Sequence, residues 1–147
     1  SFNILFTYAN ADSGGKVINQ KIEQFCKIQP AKYKVVKSLG QIKYLSAMKY
    51  VDLLVGNTSS GIIEAASFKK PVVNIGDRQK GRLRGENVID CNLDSLQESI
   101  KLALSSSFRN KIKNLENIYG TGAAADIILD KLINEPISVI KKFRDQP

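Results

Sequence analysis

The chain has 147 residues, enough for one domain with a substantial buried core. Its composition, 43% hydrophobic and 24% charged with no Trp, is that of an ordinary globular protein. No apolar run approaches the roughly 20 residues of a membrane-spanning helix. The net charge of +8 predicts an anionic partner, which charge alone does not identify as a nucleotide, a nucleic acid or a membrane surface.

Histidine is absent, which argues against a metal centre and against acid–base catalysis by imidazole. Cys26 and Cys91 lie far apart and outside any metal-binding spacing, so two buried thiols are expected rather than a disulfide. We expect no metal and no other cofactor. The chain begins without Met, directly in a strand pattern rather than a signal peptide. We therefore expect a domain of a longer, or a processed, cytoplasmic protein.

Apolar runs of strand length alternate with helical patterns through the first two thirds of the chain. This alternation is typical of repeated βα units around a parallel sheet. The predicted strands are Phe2–Tyr8, Tyr33–Leu39, Asp52–Val55, Pro71–Ile75 and Asn87–Asp90. The predicted helices between them are Lys16–Ile28, on the apolar stripe Val17, Ile18, Ile22 and Phe25, then Ile42–Tyr50 and Ser60–Phe68.

After the fifth strand the pattern becomes helical. Asp94 or Ser95 is a typical cap for the first of these helices. No repeat or long linker divides the chain, so residues 1–147 are predicted to form one α/β domain with a Rossmann-like, doubly wound parallel sheet. The predicted C-terminal helices are Leu93–Ser106, Phe108–Leu115, Ala123–Asn134, which Pro136 ends, and a short helix at Ile137–Phe143.

Three polar turns directly follow predicted strands: residues 10–15 (NADSGG), 56–61 (GNTSSG) and 76–84 (GDRQKGRLR). In open parallel α/β sheets, ligands bind beyond the carboxyl ends of the strands. If the sheet is parallel, all three turns lie at that one edge. Their clustering indicates a ligand site more strongly than any one of them.

The central turn places Thr58, Ser59 and Ser60 before Gly61, at the start of an apolar helix. One hydroxyl is enough to cap a helix, so three hydroxyls beside glycines exceed that need. Free N–H groups and the positive end of the helix dipole favour phosphate at such a turn. These four residues are predicted to contact phosphate.

Glu64 is the only charged residue between Leu53 and Phe68, and its apolar neighbours predict a buried carboxylate. A capping box would need Ser or Thr at position 61, which is Gly, and a surface ion pair would need a cation at position 68. A buried carboxylate must be paired or hydrogen-bonded. The vicinal hydroxyls of a ribose are its predicted partner.

The loop after the fourth strand carries Arg78, Lys80, Arg82 and Arg84. The basic residues of such a loop are usually exposed to solvent and bind nothing, yet arginine makes strong bidentate contacts with phosphate. We expect one or two of the four to reach a ligand. Arg78 is the first candidate because it lies nearest the strand end.

The remaining polar positions give weaker signals. Asn10 and Asp12 are common turn formers, and Lys16 is equally compatible with an exposed helix surface. Tyr44 follows the second strand, where it could stack on a base or simply pack. These residues alone do not identify a ligand.

The segment VGNTSSGIIEAASFKKPVVNIGDRQKGRLRGENVIDC closely resembles the hydrolysing UDP-N-acetylglucosamine 2-epimerases of sialic-acid and related nonulosonic-acid synthesis. FTYANADSGG near the start and IYGTGAAADIILDKL near the end resemble the same family, so the likeness covers essentially the whole chain. It implies the C-terminal, nucleotide-binding half of a two-domain enzyme of the GT-B type.

The resemblance also implies roles for single residues. Thr58 and Ser59 match positions that bind the diphosphate, and a hydroxyl is kept at Thr58 where Ser is commoner. Glu64 matches the ribose carboxylate, and Arg78 matches a diphosphate-side arginine. The complete predicted UDP-sugar site is Asn10, Lys16, Leu39, Tyr44, Thr58, Ser59, Ser60, Gly61, Glu64 and Arg78, with Leu39 and Tyr44 around the uracil.

Enzymes of this family eliminate UDP from UDP-N-acetylglucosamine to give a 2-acetamidoglucal, and then add water to give N-acetylmannosamine. Their acids and bases, including an essential His, belong mainly to the first domain, which is missing here. The resemblance therefore implies a UDP-sugar-binding chain with no assigned catalytic residue. We expect weak UDP binding without turnover, and a homo-oligomer for the full-length enzyme.

Three alternatives stay open at this stage. A related enzyme could use another nucleotide or a modified sugar such as a 2,4-diacetamido sugar. A GT-B glycosyltransferase half shares the serine turn and the ribose glutamate, although the RQKGR and GENVIDC segments favour the epimerase. A basic nucleic-acid module is disfavoured because the aromatic residues are not interleaved with the basic ones. Neither nucleic acid nor membrane is an expected partner.

Overall fold

The computed structural model describes residues 2–136. These residues form five strands, six α-helices and one short 3-10 helix, and every strand pairing among them is parallel. The α/β class and the parallel sheets are therefore confirmed. The chain divides into two compact units, with the boundary between Tyr50 and Val51. None of the helices in the described residues is long and apolar enough to cross a membrane.

Unit 1, residues 2–50, is a βαβ unit followed by a helix. Its two strands pair with Ile4 opposite Tyr33 and Thr7 opposite Val36. Both strands are shorter than predicted, because the polar or turn-forming residues at their ends leave the ladder. The elements are β1 (Ile4–Thr7), α1 (Gly15–Cys26), β2 (Tyr33–Val36) and α2 (Gly40–Tyr50).

An aromatic cluster joins α1 to the two strands of unit 1. The ring of Phe25 stacks on Tyr33 at a centroid distance of 5.0 Å and meets the edge of Phe6 at 6.0 Å. The rest of the predicted apolar stripe of α1 is only partly covered, since Val17 is 54% exposed and Ile18 is 50% exposed. The predicted helix Lys16–Ile28 is found as Gly15–Cys26, two residues shorter at its C-terminal end, and its apolar face is less buried than the pattern indicated.

Unit 2, residues 51–136, is built on a three-stranded sheet in the order β3-β4-β5. The core of unit 2 lies between this sheet, the segment that follows β3 and two later helices. Ile62, Val73 and Ile112 are almost completely buried there. The elements are β3 (Leu54–Gly56), α3 (Ser59–Ile63), a 3-10 helix (Ala65–Phe68), β4 (Val72–Ile75), β5 (Val88–Cys91), α4 (Leu96–Leu104), α5 (Ser106–Lys111) and α6 (Ala124–Asn134).

Three helices of unit 2 differ from their predicted form. The helix expected over residues 60–68 ends as an α-helix at Ile63 and continues as the 3-10 helix to Phe68, the predicted end, after which Lys69 lies in the left-handed region, φ 52°. The helix expected over residues 108–115 instead covers Ser106–Lys111. Ser95 is the N-cap residue of α4 as predicted, although its hydroxyl bonds Asn92 instead of the helix.

The arrangement of all five strands in one doubly wound sheet stays a prediction, as does the single-domain assignment. Cys26 is a buried free thiol and Cys91 is a half-buried one, so the expected burial is found for Cys26 and only in part for Cys91. The helix predicted at residues 137–143 lies outside the described residues.

Candidate functional site

The turn after β3 is shaped by glycine and by a threonine cap. Gly56 has φ 148°, a conformation that L side chains rarely adopt, and the chain then reverses into α3. Thr58 is the N-cap residue, and its Oγ1 accepts a hydrogen bond from the Ser60 N–H at 3.3 Å. The capping role is therefore real for Thr58, while Ser59 is exposed at the first position of the helix.

Gly61 has a packing role that does not depend on a ligand. It is buried, and a Cβ added at this position would lie 3.0 Å from Cγ1 of Val72 on β4. The absence of a side chain lets the short helix approach the sheet closely. Its place in the ligand site stays a prediction.

The side chain of Glu64 differs from its sequence-based description. Glu64 is exposed rather than buried, and its carboxylate accepts a hydrogen bond from the Ser60 hydroxyl one turn earlier. The expected burial is therefore wrong, and the partner of the carboxylate lies at i−4, a position that neither a capping box nor a pair with residue 68 involves. Since Glu64 is exposed, its carboxylate does not need a ribose to compensate for burial, but it is accessible to one.

The loop after β4 lies against the turn after β3. Gly76, with φ 73°, turns the chain out of the strand. Gln79 then points inward with only 4% exposure, and its Nε2 donates to the Asn57 carbonyl oxygen at 2.8 Å. Since Arg78 precedes Gln79 and Thr58 follows Asn57, the structure brings two of the three predicted turns together. Arg78 is exposed at this place.

Arg84 belongs to the protein's own framework. Its Nη1 donates to the Arg82 carbonyl at 2.6 Å and its Nη2 to the Gln79 carbonyl at 3.0 Å. Its Nε lies 2.6 Å from Oδ2 of Asp90 as an ion pair, without the alignment of a hydrogen bond. Oδ1 of Asp90 accepts from the buried Asn74 amide at 2.6 Å. Of the four basic residues in the loop, Arg84 therefore acts in folding.

Asn117 and Tyr119, which lie in the C-terminal part of the chain, donate hydrogen bonds to the segment that follows β3 and to the loop after β4. No sequence motif singles out these two residues. The Asn117 amide donates to the Ile63 carbonyl at 2.8 Å and to the Ser67 hydroxyl at 2.7 Å. The Tyr119 hydroxyl donates to the Leu83 carbonyl at 2.7 Å. No local pattern marks these residues, because each partner lies far away in the sequence.

The predicted site residues of unit 1 lie around its own turn and at the start of α2. Asn10 and Lys16 are exposed, and Leu39 and Tyr44 are half-buried. Gly15 packs so tightly that an added Cβ would lie 2.1 Å from the Asn10 carbonyl oxygen. The expectation that this turn shares one edge with the other two stays a prediction.

An open groove of about 680 Å³ lies at the carboxyl ends of β4 and β5. Both charge signs line it, with Asp77 and Asp90 beside Lys80 and Arg84, and none of the ten predicted site residues contributes to it. Among residues 2–136, no three His, Cys, Asp or Glu side chains are grouped to hold a metal ion. Because positive and negative side chains both line the groove, its charge does not favour an anionic ligand over a cationic one.

Comparison with known proteins covers nearly the whole chain, since residues 1–133 match the protein family described as UDP-N-acetylglucosamine 2-epimerase. The chain is 44% identical over 107 residues to a GDP/UDP-N,N'-diacetylbacillosamine 2-epimerase (hydrolyzing) of Campylobacter jejuni, a match that covers 73% of this chain and 28% of the relative. It is 37% identical over 119 residues to polysialic acid biosynthesis protein P7 of Escherichia coli, covering 80% and 30%.

A third relative, a UDP-N,N'-diacetylbacillosamine 2-epimerase (hydrolyzing) of Legionella pneumophila, is 35% identical over 128 residues, covering 86% of this chain and 32% of the relative. The chain thus spans about 30% of the length of the curated relatives it matches. With a family match over nearly its whole length, the chain belongs to the UDP-N-acetylglucosamine 2-epimerase family.

Proposed function

We propose that this chain is the nucleotide-binding part of a hydrolysing UDP-sugar 2-epimerase, a Rossmann-like half of a GT-B enzyme. The observation that best supports the proposal is the contact between Gln79 and Asn57, which sets the Arg78 loop beside the Thr58–Ser59 turn. In a chain of this family, that juxtaposition offers a guanidinium and a hydroxyl to one anionic group. A diphosphate is the ligand that such a pair binds best.

The other contacts of the proposed site follow from the chemistry of UDP. The exposed carboxylate of Glu64 can accept hydrogen bonds from the ribose hydroxyls, which would replace the one it now accepts from Ser60. In unit 1, Asn10 and Lys16 would add polar contacts. Leu39 and Tyr44 would enclose the uracil, the first through its backbone.

For the full-length enzyme we propose elimination of UDP from UDP-N-acetylglucosamine followed by hydration to N-acetylmannosamine. Two of the relatives are N,N'-diacetylbacillosamine 2-epimerases by name, so a UDP-linked 2,4-diacetamido sugar is the second candidate substrate. This chain has no histidine and spans about 30% of the relatives, so the acids and bases would come from the remaining part. We expect the 147-residue chain to release no N-acetylmannosamine. Detectable release would contradict the proposal that the catalytic acids and bases lie outside this chain.

Calorimetric titration of the chain with UDP, ADP, GDP and CDP tests the ligand. We expect preference for UDP, and Arg78→Ala is expected to weaken UDP binding at least tenfold, because a hydrogen bond to a charged group contributes about 1.5–3 kcal/mol. Arg109→Ala is the matched control, since Arg109 lies on α5 and pairs with Asp52 at the surface. Equal affinity for all four nucleotides, or an Arg78→Ala variant that binds like the control, would contradict the proposal.

A further inference from the structure

Gln79 is an unusual residue in its loop. The positions around it, from Gly76 to Arg82, are exposed, whereas Gln79 is 4% exposed. Burying an amide without hydrogen bonds costs roughly 1–3 kcal/mol. A buried Gln in an otherwise solvated basic loop therefore needs its bond to Asn57, and that bond spans 22 residues of chain.

The bond from Gln79 sets the orientation of one peptide group. The described peptide bonds are all trans, so the N–H of Thr58 points opposite to the carbonyl oxygen of Asn57. Because Gln79 Nε2 holds that oxygen at 2.8 Å, it also sets the direction of the Thr58 N–H. This N–H begins the turn that carries the Thr58 and Ser59 hydroxyls.

The backbone of Gln79 is fixed by a second hydrogen bond. Its backbone carbonyl accepts from Arg84 Nη2 at 3.0 Å, and the Arg84 guanidinium is paired with Asp90 on β5. A continuous set of polar contacts therefore runs from β5 through Arg84 and Gln79 to the Asn57 carbonyl. The exposed Arg78 is carried by the same backbone.

From these contacts we propose that Gln79 is a positioning residue, which orients the Asn57–Thr58 peptide and keeps Arg78 beside the Thr58–Ser59 turn. The identity of the ligand rests on the proposed function. The orientation of the turn is a property of the ligand-free chain and can be measured without any nucleotide.

Gln79→Met is the informative variant because it keeps the length of the side chain and removes the donor. Oε1 of Gln79 is buried without a hydrogen-bond partner, so its loss removes an unsatisfied acceptor, and the exposed Asn57 can turn its carbonyl to water. We therefore expect a folded variant with little change in melting temperature. Gln97→Met, the same replacement at an exposed position of α4, is the control.

The first measurement uses the ligand-free, ¹⁵N-labelled chain. We expect Gln79→Met to move the amide resonances of Thr58 and Ser59, and Gln97→Met to leave them in place. Unmoved resonances of Thr58 and Ser59 in a folded Gln79→Met chain would overturn the positioning role.

The second measurement compares UDP with uridine. We expect Gln79→Met to weaken UDP binding about tenfold, which corresponds to about 1.4 kcal/mol, and to leave uridine binding unchanged, since only the phosphates meet the turn and the loop. The loss should also be less than additive with Arg78→Ala. Equal losses for UDP and uridine would indicate general loosening and overturn the role. A wild-type chain that binds no UDP would contradict the proposed function instead, so the two failures are distinguishable.

Discussion

The polar turns of the two units differ in how far away the side chains that hold them lie. In unit 1 the first turn is held locally: Gly15 lies against the Asn10 carbonyl, and the Asn19 amide of the next helix accepts from the Ala9 N–H at 2.8 Å. In unit 2, Gln79 ties its loop to the neighbouring turn, and Arg84 holds the Gln79 backbone. The first turn therefore has no room for a side chain at Gly15, whereas the second arrangement depends on a donor 22 residues from its acceptor.

The first helices to pack on the sheet of each unit differ in how completely they bury apolar side chains. Ile62 on α3 of unit 2 is fully buried, while Ile18 and Phe25 on α1 of unit 1 are 50% and 42% exposed. Burial is not uniform within unit 2, since α6 exposes Ile127 by 61% and Ile133 by 70%. The sheet of unit 2 nevertheless has a closed apolar core around Ile62 and Val73. Unit 1 depends more on a few ring contacts and on the geometry of its turn.

The largest difference between the units is expected from matched isoleucine truncations. Ile62→Ala should lower the free energy of unfolding by about 3–4 kcal/mol, because it leaves a cavity in a closed core. Ile18→Ala should lower it by about 1 kcal/mol, because half of that side chain already meets solvent. Urea unfolding followed by circular dichroism measures both, and equal losses would refute the contrast in core burial.

The turn of unit 1 is tested by Gly15→Ala, for which we expect a loss of about 2–3 kcal/mol. The new methyl would lie 2.1 Å from a backbone oxygen, so the turn itself must move. Ser13→Ala, at an exposed position of the same turn, is the control and should change stability little. Thermal unfolding compares the two, and similar melting temperatures would show that the turn adapts freely.

The polar framework of unit 2 is tested by Asp90→Ala, which leaves the buried Asn74 amide without its acceptor at 2.6 Å. We expect a loss of about 1–2 kcal/mol in the free energy of unfolding. Asp52→Ala removes an exposed pair with Arg109 at 3.3 Å and should cost under about 0.5 kcal/mol. If both variants unfold at the same urea concentration, the Asp90 network contributes no more than a surface pair.

The smallest effect concerns Glu64 and its partner. Glu64→Ala is expected to weaken uridine and UDP by a similar factor, about tenfold, because the ribose is common to both ligands. Ser60→Ala should change uridine affinity by under about twofold, since the ribose hydroxyls would replace the Ser60 hydroxyl, and should weaken UDP alone, since Ser60 is predicted to contact phosphate. Fluorescence or calorimetric titration separates the two variants. A Glu64→Ala chain that binds uridine normally would remove Glu64 from the proposed site.

Much of the fold could be read from local signals. The five strands and their order follow from apolar runs between polar turns. Residue type limits the N-cap of α4 to Asp94 or Ser95, and the structure uses Ser95 without a side-chain capping bond. The change from α-helix to 3-10 helix after Ile63 has no local signal, since the helical pattern continues to Phe68, where the segment ends as predicted. The burial of Glu64 was overestimated because Glu64 lies between α3 and the 3-10 helix, where apolar neighbours in sequence do not surround the side chain.

The α/β class, the order of the elements and the family could be predicted from the sequence, since periodicity and motif spacing are properties of short segments. Which polar residues hold the framework together is known only from the folded chain. Gln79 and Asn57 are 22 residues apart, and Asn117 and Ile63 are 54 apart. A hydrogen bond needs both distance and direction, and neither is encoded by the residues next to the donor. The same loop therefore contains Arg84, whose guanidinium bonds the backbone of the loop, and Arg78, which is exposed, and the sequence ranks them only by their distance from the strand end.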